Sequence, residues 1–142
     1  MTIDKPNTLY FPKTKEWVLQ DDYFDSVLKI LIPNGFRYDG ASVPRLLWAI
    51  IDPLDLSEAA PLVHDYLYRN AGLDVPVYVL APDSKTVIPC GAKLFSKNFS
   101  DEMFRDIMNR WGVEPWKEAA AFHAVDKFAG FAWREHLRKN TA

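Results

Sequence analysis

In the stretch "APLVHDYLYRN", a histidine and an aspartate, His64 and Asp65, sit side by side inside an otherwise apolar run. Further on, "SDEMFRDIM" sets Asp101 one helical turn before Phe104 and two turns before Met108. On a helix that spacing puts all three on one face. A carboxylate on a core-facing stripe is costly unless a hydrogen-bonding or charged group meets it. His64, on the inner face of the preceding helix, is the partner the sequence offers. A His–carboxylate pair fixes an imidazole tautomer and stabilises its protonated form, which is the arrangement of a general base that takes a proton from water. Such help is worth roughly 10²–10⁴-fold in rate. Two starts are open for the second helix. From Ser96, Asp101 falls on the buried stripe; from Ser100, it is an acidic residue in a first turn, favoured there by the helix dipole. Equally, His64 is open to being a satisfied core histidine.

Asp65 follows His64 by one residue, so their side chains diverge by about 100° around a helix. The segment "YDGASVP" is a candidate for the flank that Asp65 faces. It holds Asp39 and the backbone carbonyl of Gly40, a residue that lets the chain bend closely. Asp39, Gly40 and Asp65 make an oxygen-only donor set of the kind that suits Ca²⁺. The plainer alternative is that Asp39 begins a turn and Asp65 is a solvated helix residue. Arg37, Arg45 and Arg69 lie near these residues in sequence, and arginine suits bidentate phosphate contact, although most arginines only solvate a surface. Tyr66 and Tyr68 either anchor the His–Asp pair by hydrogen bonds or pack as aromatic core. Arg45, Tyr68 and Arg69 are the candidates for substrate contact. His123 and His136 fall on the last helical stretch. Cys90 lies between Pro89 and Gly91 in a hairpin-like stretch, with no histidine at motif spacing, and reads as inert.

The elements that must position these groups are of two kinds. "EWVLQ" and "VLKILIP" read as strands, the intervening "DDYFDS" as a turn, and "PNG" as a second turn. A small N-terminal antiparallel sheet is therefore expected. From Ser57 the period becomes helical, with Pro61 in an early turn and Gly72 at the end. "LDVPVYVLAPDSKTVIPCGAKLF" predicts an inserted β-hairpin over 74–92. A second helix runs to Trp111 with Gly112 as its stop, and a long third helix follows Pro115 to about Arg138. The fold class is α+β, with three main helices in a single domain over 1–142.

Composition limits the function. The chain has 142 residues, 49% of them hydrophobic, which is enough for one buried core. A net charge of −2 with scattered basic residues argues against nucleic acid as a partner. The single cysteine rules out an intrachain disulfide and favours a reducing compartment. "MTIDKPNTLYFPKTKEWVLQ" has no apolar run after a basic start, so no secretory leader is expected, and "LLWAIIDPL" is too short for a transmembrane segment. The expected location is the cytoplasm of a bacterial host cell, or a virion.

The stretches "GFRYDGASVPRLLW", "APLVHDYLYR" and "SDEMFRDIM…WGV" resemble a family of short phage and bacterial proteins, the domain of unknown function 1353, from about Ile32 to Gly130. The hairpin between Leu73 and Leu94 is longer than that family usually has, and sits where it could cover or reshape a site. A fainter resemblance joins "DGAS…HDYLYRN…SDEMFRDIM" to the core of small bacterial and fungal phospholipases A2. It implies His64 as base, Asp101 as its orienting carboxylate, and a Ca²⁺ ion on Asp65, Asp39 and the Gly40 carbonyl. The implied substrate is a glycerophospholipid, attacked at its sn-2 ester by activated water. Tryptophans near the site would then help it settle on a lipid interface.

Three functions follow. The first is a metal-assisted, phospholipase-like hydrolase of a phospholipid or other small ester. The second is a non-enzymatic assembly or host-interaction protein, with phage or host proteins as partners and a structural His–Asp cluster. The third is a metal-dependent phosphohydrolase using the His64–Asp65 pair with His123 or Asp126, which requires His123 to approach His64.

Overall fold

A computed structural model describes residues 1–39, 47, 49, 51 and 57–142. The chain is α+β. It forms two compact units, Met1–Asp39 with Asp74–Leu94, and Gly40–Leu73 with Phe95–Ala142.

The first unit is built of short strands. β1 (Thr2–Ile3), β4 (Tyr23–Asp25) and β5 (Ile30–Ile32) form one sheet in the order β1-β4-β5. β2 (Thr8–Phe11), β3 (Glu16–Leu19) and β6 (Arg37–Tyr38) form a second in the order β2-β3-β6. Every pairing is antiparallel except β1 with β4, which runs parallel. Two sequence expectations are refined here. "DDYFDS" is not only a turn: Tyr23 and Phe24 are almost fully buried, and that pair of aromatics forms the strand β4 between the Asp21–Asp22 corner and the Ser26 turn. The single sheet expected at the N-terminus is two three-stranded sheets. β7 (Asp74–Leu80) and β8 (Val87–Leu94) make the anticipated hairpin, with a bulge between Val77 and Tyr78. The Tyr78 amide donates to the Lys29 carbonyl at 2.8 Å, tying the hairpin to the end of the Asp25–Lys29 turn.

The second unit is helical. α1 (Ala59–Arg69) begins after Ser57, whose hydroxyl accepts the Ala60 amide at 3.1 Å. It ends at Arg69, and just beyond it Gly72 takes φ +79°, a left-handed conformation that L side chains rarely adopt. α2 (Lys97–Arg110) starts after Ser96, whose hydroxyl accepts the Phe99 amide at 3.1 Å. Of the two starts the sequence allowed, this is the one that puts Asp101 on the buried stripe with Phe104 and Met108. Gly112, at φ +76°, closes the helix, and the Val113 amide reaches back to the Met108 carbonyl.

The long third helix is corrected. It is two helices, α3 (Pro115–Phe128) and α4 (Gly130–Thr141), with Ala129 between them at φ −88° and ψ 3°. Glycine costs a helix interior about 1 kcal/mol relative to alanine, and Gly130 stands where the helix would have to continue. α1 packs on α2 and α4, and α3 packs on α2 and α4. Among the described residues no helix is long and apolar enough to cross a membrane.

Candidate active site

α1 carries an unusual load for a buried helix. Nine of its residues are buried, and two of them are His64 and Asp65. The facing stripe of α2 contributes Asp101. His64 and Asp101 are both at 0% side-chain exposure, and His64 Nε2 lies 2.8 Å from Asp101 Oδ1. The same oxygen accepts the Tyr68 hydroxyl at 2.7 Å. The other oxygen, Oδ2, accepts Lys97 Nζ at 2.7 Å. The His64 ring is held between two aromatic rings of the same interior, with centroids 4.2 Å from Tyr68 and 4.7 Å from Phe104. Trp133, on α4, meets Tyr68 edge-on at 5.1 Å.

Electrostatics make the cluster self-consistent. Burial pushes the Asp101 carboxyl up, but the hydrogen bonds from His64, Lys97 and Tyr68 together pull it further down, and it is held below the ordinary carboxylate range. An ionised carboxylate only accepts hydrogen bonds. In the neutral ring the proton therefore belongs on Nε2, and the basic lone pair falls to Nδ1. Burial, and after it the neighbouring Asp101, raise the Tyr68 hydroxyl well above the usual phenol range, so it stays a donor.

The remaining sequence candidates divide. Tyr68 is fully buried and bonds Asp101, which makes it an anchor of the pair. Asp65 is 5% exposed and lies 3.7 Å from the half-exposed Arg69 guanidinium. His136 on α4 also feels Asp65: burial lowers its proton affinity, Asp65 raises it, and Arg69 and Lys139 lower it again. The net shift is downward. Asp39 is an exposed residue at the end of the β unit and belongs to a different compact unit from Asp65. Gly40 and Arg45 lie outside the described residues. His123 is exposed on α3, in contrast to the buried His64, and its ring meets Phe122. Cys90 is exposed on the hairpin. Among the described residues no three His, Cys, Asp or Glu side chains converge in a way that could hold a metal ion.

Lys97 escaped the sequence reading. Its signal was the spacing of four residues from Asp101, the separation at which helix side chains meet. A lysine is ordinarily read as a solvated surface residue, and only a buried carboxylate one turn on argues otherwise.

These observations define a class: an α+β protein whose helical unit closes over a His–Asp–Lys–Tyr cluster. The chain belongs to the family described as protein of unknown function (DUF1353), whose model matches residues 15–125. No curated protein and no solved structure matches the chain.

Proposed function

We propose that the chain is a hydrolase in which His64 activates a water molecule for attack on an ester, with Asp101 orienting the imidazole. The observation that supports this reading is the 2.8 Å contact of His64 Nε2 with a carboxylate held below its ordinary range. With Nε2–H donated to Asp101, Nδ1 takes the proton as the water oxygen bonds to the ester carbonyl carbon. The carbonyl π electrons move to oxygen, giving a tetrahedral oxyanion. Its collapse breaks the bond to the leaving alkoxide, which recovers the proton from His64. Asp101 stabilises the imidazolium formed between these two steps.

The substrate class belongs to the proposal as a glycerophospholipid, and so does a Ca²⁺ ion. Its donors would be carboxylate and carbonyl oxygens, Asp65 among them, a chemistry that fits that cation. When bound, calcium would polarise the ester carbonyl.

A second reading, a non-enzymatic assembly or host-interaction protein, is favoured by one observation. His64 and Asp101 are both wholly enclosed, as the members of a purely structural cluster would be. The two readings part on His64→Ala. As a hydrolase, the wild-type chain releases fatty acid from phospholipid vesicles with Ca²⁺, and His64→Ala loses about 10²-fold or more of that rate. Equal rates for the two folded proteins would remove His64 from catalysis. No release by the wild type, together with a lowered Tm for His64→Ala, would leave the structural cluster.

A further inference from the structure

We propose that Lys97 is a positioning residue of the site, locking the Asp101 carboxylate so that one chosen oxygen faces His64. The inference rests on the hydrolase reading for its consequence in turnover, but its geometry stands apart from it. The Cβ–Cγ torsion of an aspartate is broad, so a carboxylate gripped by one oxygen alone is free to swing. In this site Oδ1 takes both His64 and Tyr68, while Oδ2 takes Lys97. Among the described residues Lys97 is thus the group on the second oxygen, the one whose hold stops the carboxylate from turning.

The lysine is itself fixed. An ammonium has three N–H donors. Besides Asp101 Oδ2, Lys97 Nζ reaches the Val125 carbonyl at 3.2 Å and the Asp126 carbonyl at 3.3 Å. Both carbonyls lie in the last turn of α3, where the partial negative charge of the helix end favours a cation. The side chain is only 23% exposed, so water competes weakly for these contacts. Lys97 therefore connects the end of one helix to the carboxylate of another.

Helix stability does not account for this residue. Lys97 is the first residue of α2, where a positive charge opposes the helix dipole. The order Lys then Asp at a spacing of four is also the poorer orientation for supporting a helix. A locally unfavourable choice with a well-formed tertiary contact is the pattern expected of a site residue.

The test is the ring N–H of His64 in the full-length chain, observed by proton–nitrogen-15 NMR near pH 7, in the wild type, Lys97→Met and Lys97→Arg. A hydrogen-bonded Nε2–H gives a slowly exchanging, low-field proton signal. The expected result is that signal in the wild type, its loss in Lys97→Met and its return in Lys97→Arg. If Lys97→Met does not fold, Lys97→Gln, which keeps a donor for the α3 carbonyls without the charge, takes its place under the same expectation. Persistence of the signal in the uncharged variant, or a wild-type ring protonated on Nδ1, would overturn the proposal. On ester substrate the uncharged variant is expected to lose about 100-fold in kcat with KM unchanged, as for a catalytic group displaced by roughly 1 Å. A wild type with no esterase activity removes the hydrolase reading alone, because the NMR signal still judges Lys97.

Discussion

Among the described residues Asp25, Asp65 and Asp101 are buried, and the two most enclosed, Asp25 in one compact unit and Asp101 in the other, are satisfied in opposite ways. Asp25, 1% exposed at the end of β4, turns its Oδ1 to the amides of Val27 and Leu28 at 3.0 and 2.9 Å, while its own carbonyl accepts the Lys29 amide. Those partners are backbone groups of the next four residues. They cannot change protonation, and they are delivered by the turn that the aspartate itself shapes. Asp101 takes its partners from side chains: an imidazole on α1, a phenol on α1 and an ammonium that also reaches α3. Burial and the neighbouring Asp101 keep the phenol protonated, and of these side-chain types an imidazole is the one suited to exchanging a proton in general acid–base chemistry. Burial of a carboxylate alone therefore says little. What separates a turn-maker from a candidate reactive centre is whether its partners are amides or titratable side chains.

The largest expected effect comes from removing the charge. Asp101→Asn leaves Lys97 and His64 facing a neutral amide in a closed interior, and losing one partner of a buried pair costs about 3–5 kcal/mol. Lys97 keeps some solvent contact, which places the expectation at the lower end, about 3 kcal/mol. Asp25→Ala removes an acceptor from two amides and should cost about 1–3 kcal/mol. Urea unfolding of the two variants measures both. A smaller loss for Asp101→Asn than for Asp25→Ala would break the distinction, since it would mean that the side-chain partners of Asp101 add nothing to the fold.

The same comparison has a pH dependence whose sign follows from the depressed Asp101 carboxyl. Burial pushes that group up, and the hydrogen bonds from His64, Lys97 and Tyr68 outweigh it. A folded-state value below the unfolded one, about 3.9, means that the folded chain binds its proton less readily. The stability this supplies is complete above the unfolded value and is lost as pH falls through the folded one. Asp101→Asn has no such proton to bind. The stability gap between wild type and Asp101→Asn should therefore narrow as pH is lowered from about 5 to below about 4. Unfolding curves taken across that range check it. A gap that instead widens in acid would mean that Asp101 is protonated in the native state.

How far the site could be read beforehand depends on which residues needed a neighbour to make sense of them. His64 and Asp101 were legible because each breaks the apolar period of its own segment, and a polar residue on a core stripe demands a partner. The start of α2 was not, because Ser96 and Ser100 are equally good caps; the Phe99 amide on the Ser96 hydroxyl decides it. Lys97 was hidden by its type, and β4 by the aspartates around Tyr23 and Phe24, which read as a turn until the burial of the two rings is known. The division of the C-terminal helix at Ala129 was signalled by Gly130, but a single glycine inside a helical pattern is tolerated often enough that only the structure settles it.

The smallest expected effect tests how firmly the ends of α1 and α4 are packed on each other, with a turn of the β unit as the reference. Gly35 and Gly72 share a left-handed backbone, at φ +88° and +79°. An alanine at either position bears the same strain, about 1–2 kcal/mol. Their surroundings differ. A Cβ on Gly35 would meet nothing within 4 Å, whereas one on Gly72 would come to 2.5 Å of Leu137 Cδ1 and 3.1 Å of Thr141 Cγ2. Leu137 and Thr141 belong to the last turns of α4, and Asn140 beside them donates to the Arg69 and Ala71 carbonyls at 2.8 and 3.0 Å. Those two hydrogen bonds hold the end of α4 on the end of α1, so the Leu137 side chain must rotate or the helix must lift. The expected outcome is that Gly72→Ala lowers Tm more than Gly35→Ala, by an extra amount on the order of 1 kcal/mol for an overpacked contact. Adding Leu137→Ala to Gly72→Ala should recover that extra loss by opening the space. If the two glycine variants melt together, the Leu137 methyl gives way without cost, and α4, which carries Trp133, is not a rigid wall behind Tyr68.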